Sequence, residues 1–307
     1  MRHESVLLIG GSGFIGSHVA AQLAATGRRV IVPTRRTQRA SHLLVLPTAE
    51  IVEADVFDDA SLARLMSRVD AVINLVGVLH SAPGKAGSRW GPQFERAHVE
   101  LPRKIVQACR ATNLSRCLHM SALGANLQGP SMYLRSKAAG EKIMREAAGL
   151  EVTVFRPSVV FGEEDSFLNL FARLQAVMPV LALGRVEAKF QPVYVQDVAR
   201  AFLLALDDRQ SISRDFELVG PRVYTLRELV QLAGVYSGHP RPLIGLPESL
   251  ARLQALLLEY MPGGPLMSRD NLDSMKTDNV ASGRSPLLAG WQATALEAVA
   301  PHYLARH

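Results

Sequence analysis

Apolar and polar positions along this chain follow two rhythms. Short, almost wholly apolar runs alternate with longer stretches in which apolar residues return every three or four positions. The run Val6-Leu7-Leu8-Ile9 reads as a buried strand. Residues 14–26 follow as a helix, with Val19 and Leu23 among its apolar positions and Gly27 as its stop. Further strands are predicted over 29–32, 51–53, 71–75, 117–121 and 151–156, the last ended by Pro157. Helices are predicted over 61–66, 94–111 and 131–147, the last capped by Ser131 and ended near Gly149. Strands alternating with helices of this length specify an α/β fold with a doubly wound parallel sheet. After Pro157 the rhythm changes. Helices are expected over 165–178, 196–206 and 226–236, extended segments over 190–195 and 215–219, and then a helix-rich remainder broken by Pro247, Pro262 and Pro286. The expected division is a first domain, 1–157, and a smaller, helix-rich C-terminal lobe, 158–307, with 196–206 returning to the first domain.

Composition narrows the function classes. The 307 residues are 48% apolar and 20% charged, with a mean hydropathy of +0.10. The longest apolar runs, 71–79 and 177–183, are interrupted by Asn74 and Pro179 and fall well short of the roughly 18 residues a spanning helix needs. The net charge is +6, but no block of five like charges occurs and the tyrosines are scattered, which argues against nucleic acid. Cys109 and Cys117 form neither a disulfide framework nor a metal-ligand spacing, so no metal is expected and a reducing, cytoplasmic setting is. The first strand begins by Ser5 or Val6, which leaves no room for a signal or transit segment.

Candidate chemistry starts at Gly10-Gly11-Ser12-Gly13-Phe14-Ile15-Gly16, directly between the first strand and its helix. The first glycine permits the tight turn, the second lets backbone approach a pyrophosphate, and the third lets helix pack on strand. A merely tight turn is the plain alternative. Nineteen residues beyond Gly16, where an NAD site would carry an acidic residue for the ribose, the chain has Arg35 and Arg36, with Arg39 behind them. Guanidinium groups grip a 2′-phosphate, so NADP(H) is expected over NAD(H). The alternative is an ordinary solvated loop.

Tyr133 and Lys137 stand one helical turn apart and face the same way. Six tyrosines and six lysines in 307 residues yield about 0.1 such pairs by chance. A phenol is a poor acid–base catalyst at neutral pH, and a neighbouring ammonium is expected to lower its pKa. Lys137 would also hold the nicotinamide ribose. Ser121, at the end of a preceding strand, would hydrogen-bond a substrate oxygen. Tyr133 taken alone would be a packed tyrosine.

These residues, with Asp55-Val56, Asn74-Leu75-Val76-Gly77, Arg156 to Gly162, Val195 to Ala199 and Gly290-Trp291, resemble the extended short-chain dehydrogenase/reductases over nearly the whole chain. The stretches Met120 to Ala125 and Phe190-Gln191-Pro192-Val193 are similar to the atypical branch typified by the NADPH-binding accessory subunit of respiratory complex I. The resemblance implies a Rossmann sheet, Asp55 and Val56 flanking the adenine, Asn74, Val76 and Gly77 lining the cofactor, and Pro157 at its nicotinamide end. It also implies a respiratory or quinone-pathway partner and at most peripheral contact at the inner face of a membrane. Two departures are Ile9, where epimerases usually carry Thr, and the 12-residue step from Ser121 to Tyr133, shorter than in epimerases.

Other residues carry weaker signals. His80 and Ser81 fall where a substrate loop would lie, or form ordinary loop. His119 reads as a core histidine, and Glu163-Glu164-Asp165 as a helix N-terminus. Residues 247–261 have amphipathic spacing and read as core, or as a membrane or partner surface. The expected activity is NADP(H)-dependent oxidoreduction of a carbonyl or hydroxyl. The alternatives are a redox-silent NADPH-binding module and a nucleotide-sugar epimerase or dehydratase.

Overall fold

Alternation of buried side chains along each strand builds two packed layers on one sheet. In the computed structural model, which describes residues 2–85, 87–259 and 267–305, seven strands are hydrogen-bonded in parallel. They are β1 (Ser5–Ile9), β2 (Arg29–Thr34), β3 (Ala49–Glu53), β4 (Ala71–Asn74), β5 (Arg116–Met120), β6 (Glu151–Pro157) and a closing strand, Asp215–Leu218. Their order is closing strand-6-5-4-1-2-3. The order reverses between β1 and β4, and open α/β sheets bind ligands at the carboxyl ends of the strands at such a switch point.

Val6 and Leu8 of β1 join Val19, Val32, Ile73, Phe155 and Phe202 on one face. Leu7 and Ile9 join Ile31, Leu62, Val72, Ile105 and Cys117 on the other. Both faces are covered, and the strands therefore read as continuous apolar runs. A third cluster, around Phe161, Phe171, Leu229 and Tyr303, lies beyond the sheet.

Helix Val195–Asp207 packs against α1 (Phe14–Ala25), where Gln22 donates to the Gln196 carbonyl at 2.9 Å. Its C-terminal end is held by Arg116, which is 1% exposed. That guanidinium donates to the carbonyls of Leu206, Ala205 and Glu151 and to the hydroxyls of Thr153 and Ser211. Five acceptors without a carboxylate satisfy the whole guanidinium, which offsets much of the cost of burying its charge.

Local differences from the expected elements have identifiable causes. β2 runs through Pro33 to Thr34, past the point where its register with β1 ends at Leu7–Ile31, so the missing N–H costs no bond to β1. The helical run 92–112 is longer than expected and contains a π-helical stretch, Glu95–Glu100. The extended segment 190–195 splits into Lys189–Phe190 and Val193–Tyr194, which pair with different strands. No helix among the described residues is long and apolar enough to cross a membrane.

Candidate cofactor crevice and active site

The glycine loop sits at the switch point. Gly10 has φ +85°, and a Cβ on Gly16 would lie 2.2 Å from the Gly10 carbonyl oxygen and 2.6 Å from the Gly11 Cα. Side chains are thus excluded at both positions by backbone. Gly13 caps α1 in an extended conformation, with no side-chain cap and no acidic residue in the first turn. The N–H groups that open α1 are therefore left for an anion, as a pyrophosphate site requires. Ser12, Phe14 and Ile15 lie in the same turn. The loop fits a dinucleotide.

β2 delivers Arg35 and Arg36 to the same edge. Both side chains are exposed, as is Arg39, and none of the three has an acidic partner among the described residues. The Thr34 hydroxyl braces the turn by donating to the Arg36 carbonyl at 3.0 Å. Asp55, beyond β3, accepts the Phe57 N–H and lies 3.7 Å from Arg96, whose guanidinium stacks on Phe57. Val56 is half-buried between them.

Asn74 ends β4 fully buried. Its amide accepts the Val76 N–H at 3.2 Å and donates to His119 Nδ1 at 3.1 Å. His119 is thus a buried histidine held neutral, its pKa depressed to about 3 by burial and by the Lys137 charge. Pro157 is buried at the end of β6, and its carbonyl accepts the Leu123 N–H.

Helix Met132–Arg145 carries the tyrosine and lysine. Two caps hold its start: Ser131 Oγ accepts the Leu134 N–H, and the Asp270 carboxylate accepts the N–H groups of Met132 and Tyr133 at 2.6 and 3.0 Å. Lys137 is buried, donates to the Met120 carbonyl at 3.1 Å, and passes so close to Gly77 that a Cβ there would lie 3.1 Å from Nζ. No carboxylate pairs with it among the described residues, and burial lowers its pKa to about 8. Tyr133 packs against Phe94 and His98, with ring centroids 6.1 and 5.7 Å away. Its phenol is pushed up to about 12 by burial and then by Asp270. That direction is opposite to the lowering expected from Lys137, because the phenol is desolvated and the Asp270 carboxylate adds a negative charge near it.

Ser121 ends one residue past β5, and its hydroxyl is buried without a hydrogen bond of ordinary geometry. Its influence falls on Glu141. Burial opposes that carboxylate, but Arg156, with smaller help from Ser121 and Arg145, holds its pKa below the ordinary range. Arg156 donates to Glu141 at 2.5 and 3.0 Å. Tyr133, Lys137 and Glu141 follow one another at four-residue steps, and Ser121 directly follows Met120, whose carbonyl accepts from Lys137.

Three participants escaped the sequence reading. His98 Nε2 accepts the Val78 N–H at 3.1 Å, so Nδ1 carries the proton and donates to Ser136 Oγ at 2.8 Å. Burial, then Lys137, depresses its pKa to about 2. Asp270 comes from 137 residues further along the chain, and no local pattern announces it. Glu141 could have been found from its four-residue step beyond Lys137. His80 and Ser81 line a cavity of about 590 Å³ with Gln93, Met132, Arg135 and Asp270, and His80 Nδ1 has no partner there among the described residues. In the lobe, Asp165 accepts four backbone N–H groups around the start of helix Leu168–Val177. Trp291 donates to the Asp197 carbonyl at 2.7 Å, which joins two distant sequence motifs.

A family model described as the NAD dependent epimerase/dehydratase family matches residues 6–218. The Mus musculus protein named NADH dehydrogenase (ubiquinone) 1 alpha subcomplex subunit 9, mitochondrial, is 32% identical over 313 residues, covering 98% of this chain and 79% of its own length. A Caulobacter vibrioides protein named ceramide reductase is 30% identical over 251 residues, 79% of this chain and 74% of that one. The structure of UDP-glucuronic acid 4-epimerase from Bacillus cereus, solved with UDP-glucuronic acid and NAD, matches with a TM-score of 0.71 over 98% of this chain and 99% of that one. At 18% identity it is a likeness of fold.

Proposed function

The chain belongs to the NAD-dependent epimerase/dehydratase family and is an NAD(P)-binding protein of the short-chain dehydrogenase/reductase superfamily, and from this premise we propose that it is an NADP(H)-dependent oxidoreductase acting on a carbonyl or hydroxyl substrate. One observation carries the reading: Lys137 is buried without a carboxylate partner among the described residues, against Gly77 and the Met120 carbonyl, one turn from Tyr133. A buried ammonium left unpaired costs stability, and a ribose hydroxyl and a phenolate are groups that would use it. The glycine loop would hold the pyrophosphate, and Arg35 and Arg36 the 2′-phosphate. When bound, the nicotinamide supplies or accepts the hydride, and its oxidised form adds positive charge near the phenol. Tyr133 then delivers or removes the substrate proton, and Lys137 stabilises the phenolate. Ser121, whose buried hydroxyl has no partner of ordinary geometry among the described residues, would hydrogen-bond a substrate oxygen.

A redox-silent NADPH-binding module of a respiratory or quinone-pathway assembly is the second reading. It is favoured by the raised phenol and by relatives whose names are those of complex I subunits. Either reading suits a cytoplasmic protein that meets the inner face of a membrane at its periphery. Native mass spectrometry with release of the bound nucleotide tests the cofactor, and recovery of NAD alone would remove the role of Arg35 and Arg36. Replacing Tyr133 by Phe should lower turnover by about 10²–10⁴-fold with cofactor affinity nearly unchanged. An unchanged rate rejects Tyr133 as proton donor. Stoichiometric NADPH without oxidation against carbonyl and quinone substrates selects the second reading.

A further inference from the structure

The start of the tyrosine helix is held by a segment from the far end of the chain. Asp270 lies in helix Arg269–Ser274, which Ser268 opens with a capping box. Buried Leu272 anchors that helix against Ala251 and Ala255. The two alanines are the buried side of helix Glu248–Glu259, whose Leu250, Leu253 and Leu257 stay exposed. Asp273 pairs with Arg252 at 2.6 Å and with Lys276 at 2.7 Å. Ser274 Oγ donates at 2.8 Å to Ser131 Oγ, the side chain that caps helix Met132–Arg145. In this anchored frame the Asp270 carboxylate sets one oxygen on the Met132 N–H and the other on the Tyr133 N–H. Both oxygens therefore face the N-terminus of the tyrosine helix.

That placement decides a sign. A helix N-terminus carries about half a positive charge, and side chains lean back toward it. Tyr133 is the second residue of its helix, so the bare helix end would favour a phenolate. A whole negative charge fixed on the same N–H groups outweighs the half charge. The other groups around the ring do not restore the balance. His98 meets the ring edge-on and is neutral, with both nitrogens in hydrogen bonds. Lys137 donates to the Met120 carbonyl, and Arg135 to the carbonyls of Gly129 and Arg89. Arg269 is paired with Glu259, and Glu141, further along the helix, with Arg156. His80 lines the same cavity as Asp270, and burial holds its pKa below the ordinary value. Burial also raises the Asp270 carboxyl, against the two N–H groups that it accepts. The phenol itself is raised by burial and then by Asp270.

We propose that Asp270 is a positioning residue that holds Tyr133 as a neutral proton donor, so that the free site is set for carbonyl reduction. The role rests on the reading of Tyr133 as the proton-transfer residue. In reduction the carbonyl carbon gains the hydride of NADPH, and the carbonyl oxygen keeps the freed electron pair and takes the Tyr133 proton. NADP⁺ and a phenolate remain. In oxidation the phenolate has to exist first. Asp270 thus moves the pH at which each direction runs and leaves the equilibrium of the reaction unchanged. The test places difluorotyrosine at position 133 of the full chain, because a fluorinated phenol is more acidic and titrates where the protein stays folded. Its fluorine resonance is followed against pH without nucleotide or substrate. D270N should lower the midpoint by about one unit, or about tenfold more phenolate at a given pH. D270S, whose hydroxyl still accepts an N–H, is the second neutral variant and should do the same. D270E keeps the charge and should keep the midpoint. An unchanged midpoint in both neutral variants overturns the proposal. So does an equal fall in D270E, which would assign the shift to water entering at the helix start. With a carbonyl substrate that turns over, oxidation of its alcohol should set in about one unit lower in D270N. A protein that never oxidises NADPH would remove the earlier reading, whereas the fluorine titration alone decides whether Asp270 governs the phenol.

Discussion

Lys137→Met should make the apo protein more stable at neutral pH although it destroys the candidate site. The Lys137 pKa falls from 10.5 to about 8 because burial disfavours the ammonium. Below pH 8 the lysine is charged in both folded and unfolded chains, and folding bears the full penalty. Between about 8 and 10.5 the unfolded chain binds more protons, so wild-type stability rises with pH, and above both values the penalty is gone. At about 1.4 kcal/mol per unit the penalty is about 3 kcal/mol at pH 7 and about 1 kcal/mol at pH 9.5. Methionine removes it but leaves the Met120 carbonyl without its donor, a loss of about 1–2 kcal/mol. The variant should therefore gain about 1–2 kcal/mol at pH 7 and gain nothing, or lose slightly, at pH 9.5. Urea denaturation of both apo proteins at the two pH values measures this. A difference between them that does not change with pH would refute the assignment of a desolvated, unpaired ammonium.

The remaining expectations rest on other parts of the site and fold. Gly16→Ala sets a methyl group 2.2 Å from the Gly10 carbonyl oxygen, and should cost about 1–3 kcal/mol in denaturation and more than tenfold in NADPH affinity; near-normal NADPH binding by fluorescence titration would contradict the cradle. R35S/R36S should weaken NADPH by about tenfold per arginine while leaving NADH alone, and equal losses for both nucleotides would show that the pair does not read the 2′-phosphate. Arg116→Met abandons three backbone carbonyls and two hydroxyls, so it should destabilise the protein by about 3 kcal/mol in urea; a loss under about 1 kcal/mol would mean that these acceptors find other partners.

The strands of the sheet were legible because both faces are buried, which writes each strand as an unbroken apolar run. The glycine loop and the Tyr133–Lys137 step were legible for a related reason: the residues involved lie within one turn or one loop of each other. What could not be read depends on partners distant in sequence. Asp270 reaches the start of the tyrosine helix from 137 residues away, and the phenol rises partly on its account. The bond from Lys137 to the Met120 carbonyl follows from where β5 ends and how the helix lies over it, which periodicity does not encode. The π-helical stretch 95–100 that carries His98 leaves no mark in a pattern of apolar spacing. The stripe in 247–261 was visible, but its orientation was not, since the pattern alone does not say which side finds the protein; Met261 itself lies outside the described residues.

The strand order bears on how the protein is made. β6 is complete when residue 157 is synthesised, yet the strand that covers its outer edge ends at Leu218, about sixty residues later. The acceptors that Arg116 needs at Ala205, Leu206 and Ser211 arrive in the same interval. At about 5–20 residues per second this leaves roughly 3–12 s in which a nascent chain presents an open, valine- and phenylalanine-bearing strand edge beside an unsatisfied guanidinium. Six of the seven strands are then made while the sheet is still unfinished, and a ribosome-associated chaperone would find its binding surface there.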